Sequence, residues 1–242
     1  DRPGALDPFF LEIKRRVIAR TGHHYYDDKD DLLFERVRGR VVETGSGGFE
    51  AYLDRLGDEA ADGLDDGRER AALISAITIG ETYFFRYAEQ FAALQAVILP
   101  ALVAANRETR RLRIWSAGCA SGAEPYSLAI LVHDALGEAL PDWRVTILGT
   151  DIDEAVLERA RAAVFGRWAL RSLSADEKAR WFEPGPARDT VRLARRYAAM
   201  VRFETANLLD LAAGTAPLQF EDFDLILCRN VLIYFHPDMV QA

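Results

Sequence analysis

Cysteine and basic charge are both scarce in this chain of 242 residues. Its two cysteines are too few for a disulfide framework, which favours a reducing cytoplasm. Its 38 acidic side chains outnumber its 30 Lys and Arg, and the net charge of −8 argues against nucleic acid as the main partner, because phosphate binding needs a basic surface. No apolar run approaches the roughly 20 residues that span a bilayer, and no signal peptide is recognisable, so no membrane insertion is expected.

Hydrophobic residues make up half of the chain, enough for one sizeable domain and a smaller one. In residues 1–79, apolar side chains recur at three- and four-residue spacing, which predicts a small all-helical N-terminal domain. Residues 80–106 are predicted to form a linker and a connecting helix. In residues 107–242, short apolar strands alternate with helices, which predicts an α/β domain on a parallel sheet. At about 181–203, turn residues between short apolar runs predict a small antiparallel β insertion.

The first predicted strand of the sheet is followed by a loop of small residues and a helix that begins near Pro125. Small residues let a ligand approach the backbone, and the helix N-terminus offers unpaired N–H donors. The glycine spacing of a dinucleotide-binding loop is absent, and Glu124 would repel a pyrophosphate. Glu124 instead suits a cationic group such as an amine or a sulfonium. The alternative is a tight turn in which Glu124 only stabilises the start of the helix.

A second acid, Asp151, ends the next predicted strand, where a carboxylate can accept hydrogen bonds from both ribose hydroxyls of a nucleoside. Asp153 can cap the following helix, and capping by either acid is the alternative to ligand binding. Ligands of parallel sheets bind beyond the carboxyl ends of the strands, so the residues that follow the later strands are further candidates. These residues are Asn207, Leu208, Arg229 and Asn230.

The connector before the sheet contains Thr82, two phenylalanines and Arg86. Aromatic side chains beside an arginine can close over a ligand, and a guanidinium can hold a carboxylate bidentately. The alternative is interdomain packing with Arg86 as a surface charge.

Two further features are interpreted as structural. The pair His23-His24 lacks other ligands at metal spacing, so we predict a solvated turn and no metal site. Cys119 has no nearby base in sequence, so we interpret it as a small buried residue and not as a nucleophile.

Together, these segments resemble the chemotaxis receptor methyltransferases, a family of S-adenosylmethionine-dependent protein-glutamate O-methyltransferases. The similarity runs from the helical N-terminal region to the end of the chain. Its most specific parts occur in the family's order and approximate spacing. They are residues 82–86, 116–127, 150–153, 207–208 and 228–235.

The resemblance implies a Rossmann-like methyltransferase sheet, S-adenosyl-L-methionine as cofactor and S-adenosyl-L-homocysteine as product. It implies the cytoplasmic domain of a chemotaxis receptor as the protein substrate. It places Arg86 and Tyr234 beside the transferred methyl group, as catalytic residues. Cofactor contacts are implied for Thr82, Arg86, Glu124, Asp151, Asn207, Leu208, Arg229 and Asn230.

The chain departs from the family's pattern at Gly80, where asparagine is frequent, and at Ala123, where a second acid is frequent. A methyltransferase sheet of this family continues past Tyr234 with a helix and further strands, so C-terminal strands are expected to be missing from a chain that stops at Ala242. The insertion at 181–203 resembles a β-subdomain that docks a receptor's C-terminal tail in some members.

For this reaction we predict direct in-line methyl transfer to a glutamate carboxylate, which is already ionised at neutral pH and needs no general base. The main alternative is a sensor or scaffold that binds the cofactor without transferring its methyl group. A nicotinamide-dependent oxidoreductase is disfavoured by the glycine spacing and by Glu124.

Overall fold

A helical N-terminal part precedes a parallel sheet flanked by helices, as predicted. The computed structural model describes residues 7–57, 67–213 and 220–240. Residues 1–6 and 58–66 of the predicted helical domain, and residues 214–219 and 241–242 of the predicted α/β domain, lie outside this described part.

Local sequence signals account for the boundaries of the first helix. The Asp7 carboxylate caps it by accepting hydrogen bonds from the N–H groups of Phe9 and Phe10, at 2.8 and 3.2 Å. Gly22 ends it in the left-handed conformation, with φ of 69°. Its apolar face packs with those of the next three helices in a core of their own, which includes Phe10 and Tyr52. The four helices are α1 (Pro8–Thr21), α2 (Asp30–Glu43), α3 (Phe49–Leu56) and α4 (Arg68–Ile77).

A continuous helix, α5 (Ala88–Ala105), connects the two parts, within the span predicted for it. This helix has 18 residues and a mean hydropathy of 1.5, so by length and composition alone it could cross a membrane. The sequence pattern had not predicted that this helix could do so. Its Phe91, Leu94 and Leu99 are buried in the same core as the sheet. One side of α5 is therefore packed against the α/β domain, and alanines with Val97 on the other side raise its mean hydropathy.

Seven strands occur in the described residues, and four of them form the central sheet in the order β6-β2-β1-β7, all parallel. The strand order reverses between β1 and β7, and crevices at such switch points hold ligands. In the described part of the chain β7 pairs on one side only, and its Ile226 is 54% exposed. The strands are β1 (Arg111–Ala117), β2 (Arg144–Asp151), β3 (Val164–Gly166), β4 (Phe182–Pro184), β5 (Thr190–Leu193), β6 (Val201–Thr205) and β7 (Leu225–Leu227).

The other three strands form the antiparallel insertion, in the order β3-β5-β4. It begins at Val164, earlier than the predicted 181–203. The sequence did not reveal β3, because this strand has only three residues and no recognisable alternation. Its last strand ends at Leu193, whereas Val201–Thr205 pairs with β2 in the central sheet. The N–H of Gly185 donates to the Thr190 carbonyl at 3.0 Å and closes the expected turn.

Helices cover the sheet and follow its strands. The first of them, α6, is buried along most of its length, as expected for a helix that is apolar on nearly every side. These helices are α6 (Ala123–Leu136), α7 (Glu154–Ala162), α8 (Ala175–Trp181), α9 (Arg195–Ala198), α10 (Leu208–Ala212) and α11 (Pro237–Val240).

Candidate active site

The loop between β1 and α6 turns sharply at the carboxyl edge of the sheet. Gly118 and Gly122 both have positive φ, 71° and 86°. A Cβ atom on Gly118 would lie 2.2 Å from Cγ2 of Val231. A glycine at this position therefore lets the loop contact the segment that follows β7, and this brings the two sides of the switch point together.

Glu124 lies in the first turn of α6 and faces this crevice. Its carboxylate accepts a hydrogen bond from Ser116 Oγ at 2.7 Å and one from Arg229 Nη1 at 3.0 Å. The side chains of Glu124 and Arg229 are 14% and 16% exposed. Burial raises the pKa of Glu124, against the opposing effects of Ser116 and Arg229. Arg229 Nε is also buried, and it has no hydrogen-bond partner among the described residues.

Asp151 and Asp153 have different hydrogen-bond partners. The Asp151 carboxylate accepts hydrogen bonds from the N–H groups of Ala120, at 2.9 Å, and Asp153, at 3.0 Å. Burial raises the pKa of Asp151. Asp153 caps α7, and its other oxygen accepts from the hydroxyls of Ser75 and Thr78 at 3.1 and 3.3 Å. Asp151 thus lies at the crevice, while Asp153 joins it to the helical part.

Asn207 makes a second connection to the helical part. Its side-chain oxygen caps α10 by accepting from the Leu209 N–H at 3.1 Å, and its amide donates to the Arg20 carbonyl at 2.7 Å. The end of α1 is thereby held against the carboxyl edge of the sheet.

The segment that follows α1 also reaches the crevice. The rings of His23 and Tyr25 each lie 5.8 Å from the ring of Tyr234, centroid to centroid. Burial lowers the pKa of His23. The prediction of a solvated turn was therefore wrong for His23, because the helical part packs over this end of the sheet.

Every predicted site residue lines one cleft, which encloses about 1130 Å³ when the part open to solvent is counted. The cleft lies between the helical part and the carboxyl edge of the sheet. The predicted residues are Thr82, Arg86, Glu124, Asp151, Asn207, Leu208, Arg229, Asn230 and Tyr234. The helical part also lines the cleft, which the sequence pattern did not indicate. Its lining residues are Thr21, His23, Tyr25, Tyr26, Ile77 and Thr78.

Three residues in or next to the segments that line this cleft have left-handed backbone conformations. Phe85, Tyr87 and Asn230 have positive φ, at 52°, 63° and 59°. Ser127 Oγ accepts from the Phe85 N–H at 3.0 Å, and the Asn230 amide donates to the Tyr87 hydroxyl at 3.1 Å. Such conformations persist where surrounding contacts hold them, and they are most frequent at functional sites.

Two cleft residues can be compared with their predicted roles. Cys119 is 2% exposed and burial raises its pKa, so its thiol is neutral and packed, as its interpretation required.

At Gly80, an added Cβ would lie 3.7 Å from Cγ2 of Val156 and 4.0 Å from Cβ of Ala120, which are ordinary contacts. Crowding therefore does not impose glycine at position 80.

Residues 80–241 match the sequence model of the family described as CheR methyltransferase, SAM binding domain. The chain belongs to this family. It is 35% identical over 231 residues to a chemotaxis protein methyltransferase of Salmonella typhimurium, covering 95% of this chain and 74% of the relative. It is 34% identical over 237 residues to one of Escherichia coli, covering 97% and 77%, and 39% identical over 231 residues to one of Listeria monocytogenes, covering 95% and 80%.

Membership of the CheR methyltransferases confirms a methyltransferase with S-adenosylmethionine as cofactor, and excludes the nicotinamide alternative. The cleft fits this cofactor. Its carboxylates at Glu124 and Asp151 suit a positively charged ligand, and Asp151 can accept hydrogen bonds from ribose hydroxyls. The unpartnered Nε of Arg229 can donate to the carboxylate of an amino-acid group.

Proposed function

We propose that this protein, in the cytoplasm, methylates glutamate side chains in the cytoplasmic domain of a chemotaxis receptor. The observation that carries the proposal is a single cleft in which the two partly buried carboxylates, Glu124 and Asp151, lie together with Arg86. The name shared by its relatives, chemotaxis protein methyltransferase, supports the same substrate class.

The bound cofactor supplies an electrophilic methyl group, and its transfer forms a C–O bond to the acceptor while the electron pair of the C–S bond passes to sulfur. A glutamate acceptor has an ordinary pKa near 4.3 and is ionised at neutral pH, so the protein needs no general base. Its tasks are to orient the carboxylate and to exclude water, because an anion and a cation that neutralise each other react more readily in a water-poor site.

Arg86 is the side chain best placed to orient the acceptor. Its Nη1 donates to the Glu81 carbonyl at 3.0 Å, and its guanidinium lies 5.8 and 5.3 Å from the ring centroids of Tyr83 and Tyr87. In the described part of the chain Arg86 forms no ion pair with a carboxylate. It therefore retains donors and a positive charge for an incoming glutamate.

Tyr234 would line the path of the methyl group. Its ring contacts the rings of His23 and Tyr25 of the helical part. Burial raises the pKa of Tyr234, so its hydroxyl stays protonated at neutral pH and can donate a hydrogen bond but not take up a proton. We assign it to positioning and not to acid–base chemistry.

The test is transfer of a labelled methyl group from S-adenosylmethionine to receptor cytoplasmic fragments. We expect base-labile methyl esters, and no label on a matched fragment whose acceptor glutamates are replaced by glutamine. Arg86→Ala should lower kcat/KM by roughly a hundredfold, the scale of losing a charged orienting contact. Cofactor binding without transfer to any fragment would instead support the sensor or scaffold, and an unchanged Arg86→Ala enzyme would refute the role of Arg86.

A further inference from the structure

A row of stacked aromatic rings and guanidinium groups leads from the protein surface to the cleft. We call it the Trp168 row, and it consists of Trp168, Arg171, Tyr83 and Arg86. The Arg171 guanidinium lies 4.0 Å from the ring centroid of Trp168 and 3.6 Å from that of Tyr83. Tyr83 and Arg86 line the cleft, whereas Trp168 is 63% exposed.

The exposed indole is held in place by Glu81, which accepts its hydrogen bond, and by Arg171, which stacks on its ring. Its Nε1 donates to Glu81 at 3.1 Å, and Arg171 Nη1 donates to the Trp168 carbonyl at 2.8 Å. Arg171 also lies 3.9 Å from the Glu81 carboxylate. A large apolar ring that is fixed before binding loses little entropy when a partner covers it.

The chemistry of the row favours a polypeptide partner. Tryptophan, tyrosine and arginine are the residues that contribute most to protein–protein binding when they cluster. An acidic segment can pair with the guanidinium groups of Arg86 and Arg171 while an apolar side chain packs on the ring.

We propose that Trp168 anchors the acceptor protein beside the cleft, by binding an acidic segment next to the glutamate that is methylated. The inference rests on the proposed function and on the continuity of the row with the cleft. Trp168 acts in docking, and it takes no part in the transfer itself because it does not line the cleft.

The first test compares Trp168→Ala with the wild type on a receptor fragment that the wild type methylates. The KM for the fragment should rise roughly tenfold, the scale of an interface anchor. The Kd for S-adenosylmethionine, measured by calorimetry, should not change. Trp168→Phe should give an intermediate KM, because its ring can stack on Arg171 but cannot donate to Glu81. The matched control is Val97→Ala, whose side chain on α5 is also exposed, at 65%.

The second test needs no turnover. Trp115 and Trp181 are buried and Trp143 is half-buried, so acrylamide quenching reports mainly on Trp168. With S-adenosylhomocysteine present, the fragment should protect the wild-type fluorescence and leave that of Trp168→Phe unchanged. Unchanged KM in Trp168→Ala, or absence of protection, would overturn the docking role alone. A wild type that methylates no fragment would overturn the proposed function together with this inference.

Discussion

Gly118 is a position where one added carbon should damage both folding and cofactor binding. In Gly118→Ala the new Cβ would lie 2.2 Å from Cγ2 and 3.3 Å from Cβ of Val231, on a backbone with φ of 71°. Val231 directly follows Arg229 and Asn230, so any shift that relieves the clash moves two cleft residues.

The expected loss has two parts. An L-residue in the left-handed region costs about 1–2 kcal/mol. Forcing a methyl group into a packed site costs about 1–3 kcal/mol more. The free energy of unfolding should therefore fall by roughly 2–5 kcal/mol.

A control separates the two parts. Gly45 has φ of 67°, and a Cβ added there would meet no atom within 4 Å. Gly45→Ala should therefore lose only the conformational part, about 1–2 kcal/mol. Both variants are measured by urea unfolding followed by circular dichroism, and cofactor affinity by calorimetry. Equal losses in the two variants, or unchanged affinity in Gly118→Ala, would show that the contact with Val231 does not constrain the cleft.

Two further predictions concern the partly buried carboxylates of Glu124 and Asp151. Glu124→Gln keeps the shape of the side chain but removes its charge, and its cofactor affinity should fall at least roughly tenfold in calorimetry, because a hydrogen bond to a charged group contributes about 1.5–3 kcal/mol; unchanged affinity would mean that Glu124 only supports Arg229. Because the pKa values of Glu124 and Asp151 are raised in the folded state, the cofactor-free protein loses free energy of unfolding as the pH rises and these groups ionise. A bound cation favours the ionised carboxylates and restores this free energy. The rise in Tm caused by S-adenosylmethionine should therefore be larger at about pH 7 than at about pH 5, where more of both carboxyls are protonated. A pH-independent shift would contradict this linkage.

Local patterns predicted several elements closely. The helix predicted to begin near Pro125 begins at Ala123, two residues earlier, because the start of a helix depends on local signals. The start of the antiparallel insertion was missed, since the short strand Val164–Gly166 becomes recognisable only through its pairing with Thr190–Leu193. Strand pairing joins segments that are distant in sequence, and a three-residue strand carries little pattern of its own.

The sequence alone determined the succession of a helical part and an α/β part, the acids and amides at the carboxyl ends of the central strands, and the family to which they point. Periodicity, capping and motif spacing are local properties, so they can be read along the chain. Only the tertiary structure places His23 and Tyr25 against Tyr234 and stacks Trp168 on Arg171 and Tyr83. Most of these contacts join residues far apart in the chain, and they exist because the helical part packs over the sheet and the insertion packs beside the connector.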